Sequence, residues 1–231
     1  MNVERGTLSR LTFHPGSAYS ASWSPDGKQL AIVAVPSQVQ ILAANGSSTA
    51  KAITTAERTS AVSDWSPDGQ TLLVNDQNSA TGWDIFTLPA SGGEMVPIAH
   101  SPFDEVNPKF SPDGHWIAYI SNESGRAEVY VIPYPGPGGR WQVSNGASLG
   151  RTNSAIAWRR DGKGIYYRSA DGPLMAVDIQ MRPGEFHAGS PRQIFAGTPV
   201  AIDTAPDGRI LVQVLAEGGE SPPVTVVLNW D

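Results

Sequence analysis

The phrase Trp-Ser-Pro-Asp-Gly occupies residues 23–27 and recurs at residues 65–69. A near copy, Phe-Ser-Pro-Asp-Gly, occupies residues 110–114, and two more divergent copies are Trp-Arg-Arg-Asp-Gly at 158–162 and Thr-Ala-Pro-Asp-Gly at 204–208. Steps of 42, 45, 48 and 46 residues separate the aspartates of successive copies, which are Asp26, Asp68, Asp113, Asp161 and Asp207. A repeat of about 40 to 50 residues is typical of β-propeller blades, each of which holds four strands.

The chemistry of Ser-Pro-Asp-Gly is that of a tight turn. Proline presets φ for the first central position of a type I turn, and aspartate accepts hydrogen bonds from nearby backbone amides. Glycine then takes the positive φ that follows. Each copy therefore predicts a hairpin between two antiparallel strands, and we assign the five aspartates a turn role rather than a catalytic one.

Each hairpin is flanked by strands of the same kind. A short strand precedes it, and the strand that follows is more apolar. In the first repeat this second strand, residues 29–35, is apolar on both alternating faces, so both faces must be covered, as happens when blades stack. A third strand and a Gly- or Pro-rich turn then lead to a fourth, more polar strand, with the sequences AKAITT, MVPIAH, RWQVSN and RQIFAG.

The fifth repeat has no fourth strand of its own, since the sequence ends at VTVVLNWD. Residues Leu8 to Phe13 (LSRLTF) match the fourth strands and precede the first inner strand. Pairing them with Val224 to Trp230 would close a ring and remove open sheet edges. We therefore predict one all-β domain, a five-bladed propeller of four-stranded antiparallel blades. The predicted blades are about residues 17–55, 61–100, 105–145, 154–197, and 200–231 plus 1–13.

The composition excludes several classes of protein. The 231 residues carry a net charge of -6 without a basic stripe, which disfavours nucleic acid as a partner. The apolar runs are too short to cross a bilayer and the N-terminus lacks a hydrophobic signal segment, so we expect neither membrane insertion nor an export signal in the sequence as written. With no cysteine, disulfides, thiol catalysis and zinc-thiolate sites are excluded.

The repeated W-S-P-D-G followed by an apolar strand resembles the TolB-type, WD40-like (PD40) propeller repeat over essentially the whole chain. Residues 110–146 and 222–231 are similar to the C-terminal propeller region that follows the kinase domain in bacterial, especially acidobacterial, serine/threonine protein kinases. The resemblance implies the sensor or interaction part of a larger receptor-like protein. As part of such a receptor the propeller is expected outside the cytoplasmic membrane, and as a chain complete as written it is expected in the cytoplasm. The resemblance implies no kinase activity here, since the sequence has no Gly-rich phosphate loop and no V-A-I-K, H-R-D or D-F-G motif.

Binding in a propeller is expected at the central funnel, where the inner strands start and loops crowd together. The acidic candidates there are Asp64, Asp104, Glu105 and Asp203, and Asp64 and Asp203 occupy matching late positions of their inner strands. Two carboxylates across a narrow axis can act as acid and base on a glycosidic bond or hold a hard cation. The alternative function is therefore a carbohydrate-active hydrolase or lyase, with or without a metal.

Aromatic and polar candidates complete the predicted rim. Trp83 lies in the polar insertion NDQNSATGWD, where it has no repeat-wide packing role, so it is a candidate anchor for a peptide or sugar. Arg126, Arg151 and Asn153 are candidate polar contacts at the same rim. The aromatic residues that open the repeated phrase are instead assigned to a packing layer between blades, and they are Trp23, Trp65, Phe110 and Trp158.

No assembled catalytic set remains after these assignments. The four histidines are scattered without metal-ligand spacing, and there is no G-x-S-x-G nucleophile motif. We therefore predict a non-enzymatic, monomeric binding or scaffolding module without cofactor, catalytic residue or metal. Its ligand is expected to be a protein, peptide or small molecule at the funnel face.

Overall fold

A computed structural model describes residues 11–12, 18–35, 37–54, 59–149, 155–182, 185–205 and 207–214. Within these ranges the regular structure consists of antiparallel strands, and they contain no helix. The prediction of an all-β chain with four-stranded antiparallel sheets is confirmed.

The first three sheets repeat one arrangement, in which four strands pair in chain order. The opening strands of successive sheets contact one another, so these strands line the axis. The first sheet contains β1 (Ala18–Trp23), β2 (Gln29–Ala34), β3 (Gln38–Ala43) and β4 (Lys51–Ala52). The second contains β5 (Thr59–Trp65), β6 (Thr71–Asn78), β7 (Gly82–Pro89) and β8 (Val96–Ala99). The third contains β9 (Glu105–Phe110), β10 (Trp116–Ser121), β11 (Glu128–Pro133) and β12 (Trp141–Gln142).

The fourth sheet has an additional strand that the sequence analysis missed. Its strands are β13 (Ile156–Trp158), β14 (Gly164–Arg168), β15 (Leu174–Arg182), β16 (Glu185–Ala188) and β17 (Arg192–Phe195). The first part of β15 pairs with the expected outer strand β17, and its extension pairs with β16. Phe186 of β16 packs on Trp116 and Trp141 of the third sheet, with ring centroids 5.5 and 5.2 Å away. The extra hairpin therefore links two neighbouring sheets.

The described part of the fifth sheet consists of β18 (Pro199–Thr204) and β19 (Ile210–Val214), which form a hairpin. The predicted pairing of residues 8–13 with residues 224–230 lies outside the described residues, apart from Leu11 and Thr12. Five blades and a closed ring therefore stay predictions.

The turn role of the repeated phrase is confirmed. The five terminal glycines have φ between 67° and 88°. In the first turn, the Gly27 amide donates to the Ser24 carbonyl at 2.9 Å, and Asp26 accepts from the Lys28 amide at 3.0 Å. The Ser24 hydroxyl, followed by that amide, holds the pKa of Asp26 below its ordinary value.

Apolar side chains from facing sheets form the core. Ala31 and Val33 of β2 pack against the second sheet, and Leu30 and Ile32 on the other face form a separate cluster that includes Leu11. Both faces of β2 are thus covered, as its sequence predicts. Burying such side chains stabilises each by about 1.5 to 3 kcal/mol, so the faces between neighbouring sheets supply most of the stability.

The aromatic packing layer is confirmed at three positions and is wrong at one. Trp65, Phe110 and Trp158 are buried, whereas Trp23 is 59% exposed. The indole Nε1 of Trp65 donates to the Ser22 carbonyl of the preceding sheet at 3.1 Å, and that of Trp158 donates to the Lys109 carbonyl at 3.0 Å. The reason for the difference is the neighbour: these two indoles have a preceding sheet to pack on, and most of the Trp23 side-chain surface is uncovered.

Candidate functional site

A cavity of about 670 Å³ lies on the axis, at the ends of the inner strands that adjoin the Ser-Pro-Asp-Gly turns. Residues of β1, β5, β9, β13 and β18 all line it. Every repeat contributes the residue directly before its aromatic position, or before Thr204 in the fifth repeat. We call these five residues the channel mouth, and they are Ser22, Asp64, Lys109, Ala157 and Asp203.

The cavity also has an aromatic and proline-rich wall. The exposed indole of Trp23 lines it together with the turn prolines Pro25, Pro67 and Pro112. On one side the cavity extends beyond the inner strands to Leu211 and Gln213 of β19. Trp23 and Leu211 are both exposed hydrophobic residues, so the wall offers apolar surface beside charged groups.

The structure divides the predicted rim between two ends of the inner strands. Asp64 and Asp203 line the cavity, as expected for two carboxylates near the axis. Glu105 instead begins β9, whose last residue, Phe110, donates its amide to Asp64 at 2.9 Å. Five residues of strand span roughly 16 Å, so Glu105 and Asp64 lie at opposite ends of the channel. Arg151 and Asn153 lie outside the described residues.

Asp64 at the channel mouth is half-buried, and its carboxylate links the second and third sheets. Burial raises its pKa, and the charge of Lys109 and the Phe110 amide oppose that increase. The Lys109 ammonium in turn donates to the Ser63 carbonyl of the second sheet at 2.6 Å. Both charged groups are therefore committed to contacts between sheets.

Asp203 has different partners from Asp64. It is exposed, its Oδ1 accepts from the Thr204 amide at 2.7 Å, and the Arg160 guanidinium lies 3.9 Å away. Arg160 also donates to the Thr204 carbonyl at 2.7 Å, which joins the fourth and fifth sheets. The carboxylates of Asp64 and Asp203 are held by separate contacts, and they share no metal cluster. In the ranges that the structure describes, no group of three or more His, Asp or Glu side chains could hold a metal ion.

Sequence reasoning missed Lys109 and Arg160, although the repeat contains a signal for both. Lys109 stands where the second repeat has Asp64, directly before the aromatic position. Arg160 replaces the turn proline of the regular copies. Such departures from the repeated sequence, at positions in or next to the turns, are the signal that could have identified both residues.

The opposite end of the channel holds Trp83, Asp104 and Arg126. Trp83 is half-buried and packs against the core of the third and fourth sheets, and its amide donates to Asp104 Oδ1 at 3.1 Å. Arg126 donates from Nε to the buried Glu128 and from Nη2 to Asn145, both at 2.6 Å. The structure thus places these side chains in contacts that hold the loops together.

Glu105 at this end is a buried carboxyl group. Its side chain is 1% exposed, and it accepts a hydrogen bond from the Ser101 hydroxyl. Burial, with the nearby Asp84 carboxylate, raises the pKa of Glu105 to about 7. Glu105 therefore changes charge near neutral pH, and it is not among the residues that line the axial cavity.

These sheets and the polar axial cavity define a β-propeller, and comparison of the sequence identifies its family. A profile of PD40, the TolB beta propeller domain, matches residues 22–228, and the chain belongs to this family. The resemblance drawn from the repeated phrase is confirmed.

Solved structures share the fold at low identity. A putative TolB from Agrobacterium tumefaciens superposes with a TM-score of 0.68 at 20% identity, over 86% of this chain and 70% of that one. Oligogalacturonate lyase in complex with manganese superposes with a TM-score of 0.61 at 14% identity, over 89% of this chain and 64% of that one.

The alignments with sequence relatives cover only a small part of each relative. The uncharacterized peptidase YuxL of Bacillus subtilis is 26% identical over 148 residues, which is 64% of this chain and 20% of that protein. The chain spans 24% and 20% of the curated relatives that it matches. Among the described residues there is no helix with the length and hydropathy needed to span a bilayer.

Proposed function

We propose that this propeller is a non-enzymatic binding module that takes an extended peptide segment of a partner protein at the channel mouth. The observation that carries the proposal is the composition of the cavity wall, where the exposed Trp23 and the turn prolines adjoin charges of both signs. Grooves lined by aromatic side chains bind extended, proline-rich peptide segments. The charged groups Asp64, Lys109 and Arg160 already hold sheets together, which favours a rigid recognition surface over a reacting centre.

A peptide-display library selected on the intact chain tests this proposal. Peptides that bind are expected to lose roughly tenfold or more in affinity with Trp23→Ala, because buried aromatic anchors contribute about 2 kcal/mol or more to such interfaces. Phe103→Ala is the matched control, since Phe103 is an exposed aromatic residue at the other end of the channel. Equal losses in both variants, measured by calorimetry, would place the ligand elsewhere.

A carbohydrate-active hydrolase or lyase is the second candidate, because Asp64 is a cavity carboxyl group with a raised pKa. The fold likeness to oligogalacturonate lyase is compatible with it. The test is turnover of oligogalacturonates with and without manganese by the wild-type chain and by Asp64→Asn. Turnover that disappears in the variant would support the enzyme and displace the binding module.

We also propose that residues 1–231 form one domain in which five blades close into a monomeric ring. Leu11 supports this, because its side chain lies 3.5 Å from the position of a Cβ added to Gly46. Ile53, which follows the outer strand β4 of the first sheet, meets Gly92 of the second sheet in the same way. Leu11 therefore lies against the first sheet at the position that the outer strand of a preceding blade would take, which supports a closed ring.

The setting of the module is part of the same proposal. Because the alignments cover only 24% and 20% of the curated relatives, the propeller is proposed to serve as the sensor or interaction part of a larger bacterial receptor-like protein. The Glu105 end of the channel would then face a different direction from the peptide-binding mouth.

A further inference from the structure

Three acidic side chains are buried together where the second and third sheets meet. Asp76 of β6 and Asp84 of β7 are direct cross-strand partners, and Glu105 begins β9 of the next sheet. Asp84 is 0% exposed and Glu105 is 1% exposed. Asn75 donates to the backbone carbonyls of both Asp84 and Glu105, at 3.2 and 3.0 Å, which joins the two strands.

The hydrogen bonds of Asp84 and Glu105 use only part of their carboxyl groups. Asp84 Oδ2 accepts from the Thr81 hydroxyl at 2.7 Å and lies 3.0 Å from His100 Nδ1, and Glu105 accepts from Ser101. Within the described residues, Asp84 Oδ1 and Glu105 Oε2 are buried without a hydrogen-bond partner. A buried acceptor without a donor is costly, and an ionised one more so.

Glu128 of the third sheet provides an internal comparison with Asp84. Glu128 begins β11, and Asp84 lies near the start of β7, the corresponding strand of the second sheet. Glu128 is equally buried, but one oxygen accepts from Arg126 at 2.6 Å and the other from the Gly146 amide at 2.7 Å and from the Ser144 hydroxyl. The unpartnered oxygens are therefore a feature of the seam between the second and third sheets.

The groups that face Glu105 come from several elements. Burial is the main cause of its raised pKa, Asp84 and Glu123 raise the pKa further, and the Ser101 hydroxyl opposes them. Tyr119 of β10 also feels the Glu105 charge, and the Arg140 guanidinium near Tyr119 is paired with Glu123. Asp76 pairs with Asp84 across the strands, and His100 contacts Oδ2 of Asp84. The groups where the second and third sheets meet therefore carry more negative than positive charge. A buried Glu105 carboxylate with like charge nearby is disfavoured unless a group neutralises it.

We propose that Asp84 and Glu105 form a proton-binding site whose occupancy controls the adjoining loop of residues 101–105. The proton supplies a donor to the Glu105 carboxyl group, whose Oε2 has no hydrogen-bond partner among the described residues. A proton fits better than a metal ion, since the residues described contain no group of three or more metal-ligating side chains.

The contacts of the loop of residues 101–105 connect the Glu105 carboxyl group to the exposed surface of the loop. Ser101 binds Glu105 at one end, the Trp83 amide binds Asp104, and Asn122 accepts from the Asp104 amide at 3.0 Å. Between these anchors Phe103 is exposed at the rim. Loss of the proton leaves two like charges under the loop, which favours its opening and changes the surface that Phe103 presents. The site lies at the opposite end of the channel from the proposed peptide site and goes beyond that function.

The expected pH dependence follows from the direction of the pKa shift. Glu105 has an ordinary pKa of 4.5 and a pKa of about 7 in the folded chain. The folded chain therefore binds more protons than the unfolded chain between these values, and stability falls as pH rises through this window and levels off above it.

Amide hydrogen exchange of the intact chain, corrected for intrinsic rates, tests the proposal at pH 5.5 and pH 8. Wild-type residues 99–106 are expected to exchange roughly tenfold faster at pH 8, since a shift of this size changes the opening equilibrium by orders of magnitude. In Glu105→Gln, which mimics the protonated group, the difference disappears. In the matched control Glu128→Gln it persists. A wild-type loop that is equally protected at both pH values overturns the proposal, as does a Glu105→Gln loop that keeps the difference.

A second variant keeps the test decisive if Glu105→Gln does not fold. Ser101→Ala removes the hydrogen bond that lowers the pKa of Glu105, so the midpoint of loop opening moves to higher pH. If the Ser101 hydroxyl had only a structural role, Ser101→Ala would change the protection of the loop without moving the pH midpoint of loop opening. An unmoved midpoint therefore contradicts the proposal. Calcium or manganese that restores wild-type protection at pH 8 would show a cation site instead.

Discussion

Trp23 and Trp65 open two copies of the same phrase, yet their environments are opposite. Both line the axial cavity, but Trp23 is 59% exposed, whereas Trp65 is 5% exposed and packs in the core between the first and second sheets. Each belongs to a similar hairpin, so the local sequence does not explain the difference. The comparison shows that the sheet preceding an aromatic residue, rather than its own sheet, decides whether it is buried.

The turn glycines show the same contrast. A Cβ added at Gly114 would lie 3.3 Å from Pro67 of the preceding sheet, and one added at Gly69 would lie 3.9 Å from Pro25. At Gly27 no atom of the described residues lies within 4 Å of such a Cβ. The turn of the first sheet therefore has open space where the turns of the second and third sheets have a neighbour, and experiments on the first sheet report on what precedes it.

The largest effect is expected from deleting residues 1–13. If these residues supply the outer strand of a fifth blade, the deletion exposes the Leu30 and Ile32 cluster and opens a sheet edge. The loss is expected to take most of the stability of the domain, which is about 5 to 15 kcal/mol in typical proteins. Thermal unfolding followed by circular dichroism measures it, and an unchanged melting temperature would rule out ring closure by this segment.

The next largest effect is expected from Trp65→Ala. Removing a buried indole leaves a cavity between two sheets and the Ser22 carbonyl without its donor, at a cost of about 3 to 5 kcal/mol. Trp23→Ala is the matched variant and is expected to cost less than about 1 kcal/mol, because its side chain is mostly exposed. Urea unfolding gives both values. Equal losses would mean that Trp23 is packed in solution.

Effects smaller than that of Trp65→Ala are expected at the turn glycines. Gly27→Ala meets only backbone strain at φ 67°, at a cost of about 1 kcal/mol. Gly114→Ala meets similar strain at φ 74° and also a close approach to Pro67, so about 1 kcal/mol more is expected. If urea unfolding gives the same loss of stability for both substitutions, then Pro67 moves to accommodate the added Cβ at Gly114. The contrast between the two turns then disappears.

Much of the fold could be predicted because each copy of the phrase carries its own turn chemistry. Proline, aspartate and glycine act on neighbouring backbone groups, so Asp26 and Gly27 could be assigned without knowledge of other sheets. The hairpin formed by β15 and β16 could not, since its residues have no counterpart in other repeats. Its packing depends on Phe186 meeting Trp116 and Trp141, which lie about 45 residues or more earlier in the chain.

The candidate site was predictable only in part. Asp64 and Asp203 were found because matching positions of inner strands point to the axis. The end of the channel that holds the cavity was not, because it depends on how five inner strands converge. Lys109 and Arg160 were missed since their side chains do not repeat. The unpartnered oxygens of Asp84 and Glu105 arise only when the second and third sheets meet.

The sequence by itself determined the repeat, the turns, the strand order and the PD40 family, since each depends on interactions between residues near one another in the chain. The tertiary structure alone decided which aromatic residues are buried, which end of the channel is open and which carboxyl groups share a seam. Those properties depend on desolvation and charge across sheets from distant repeats, where the same residue type has a different neighbour each time.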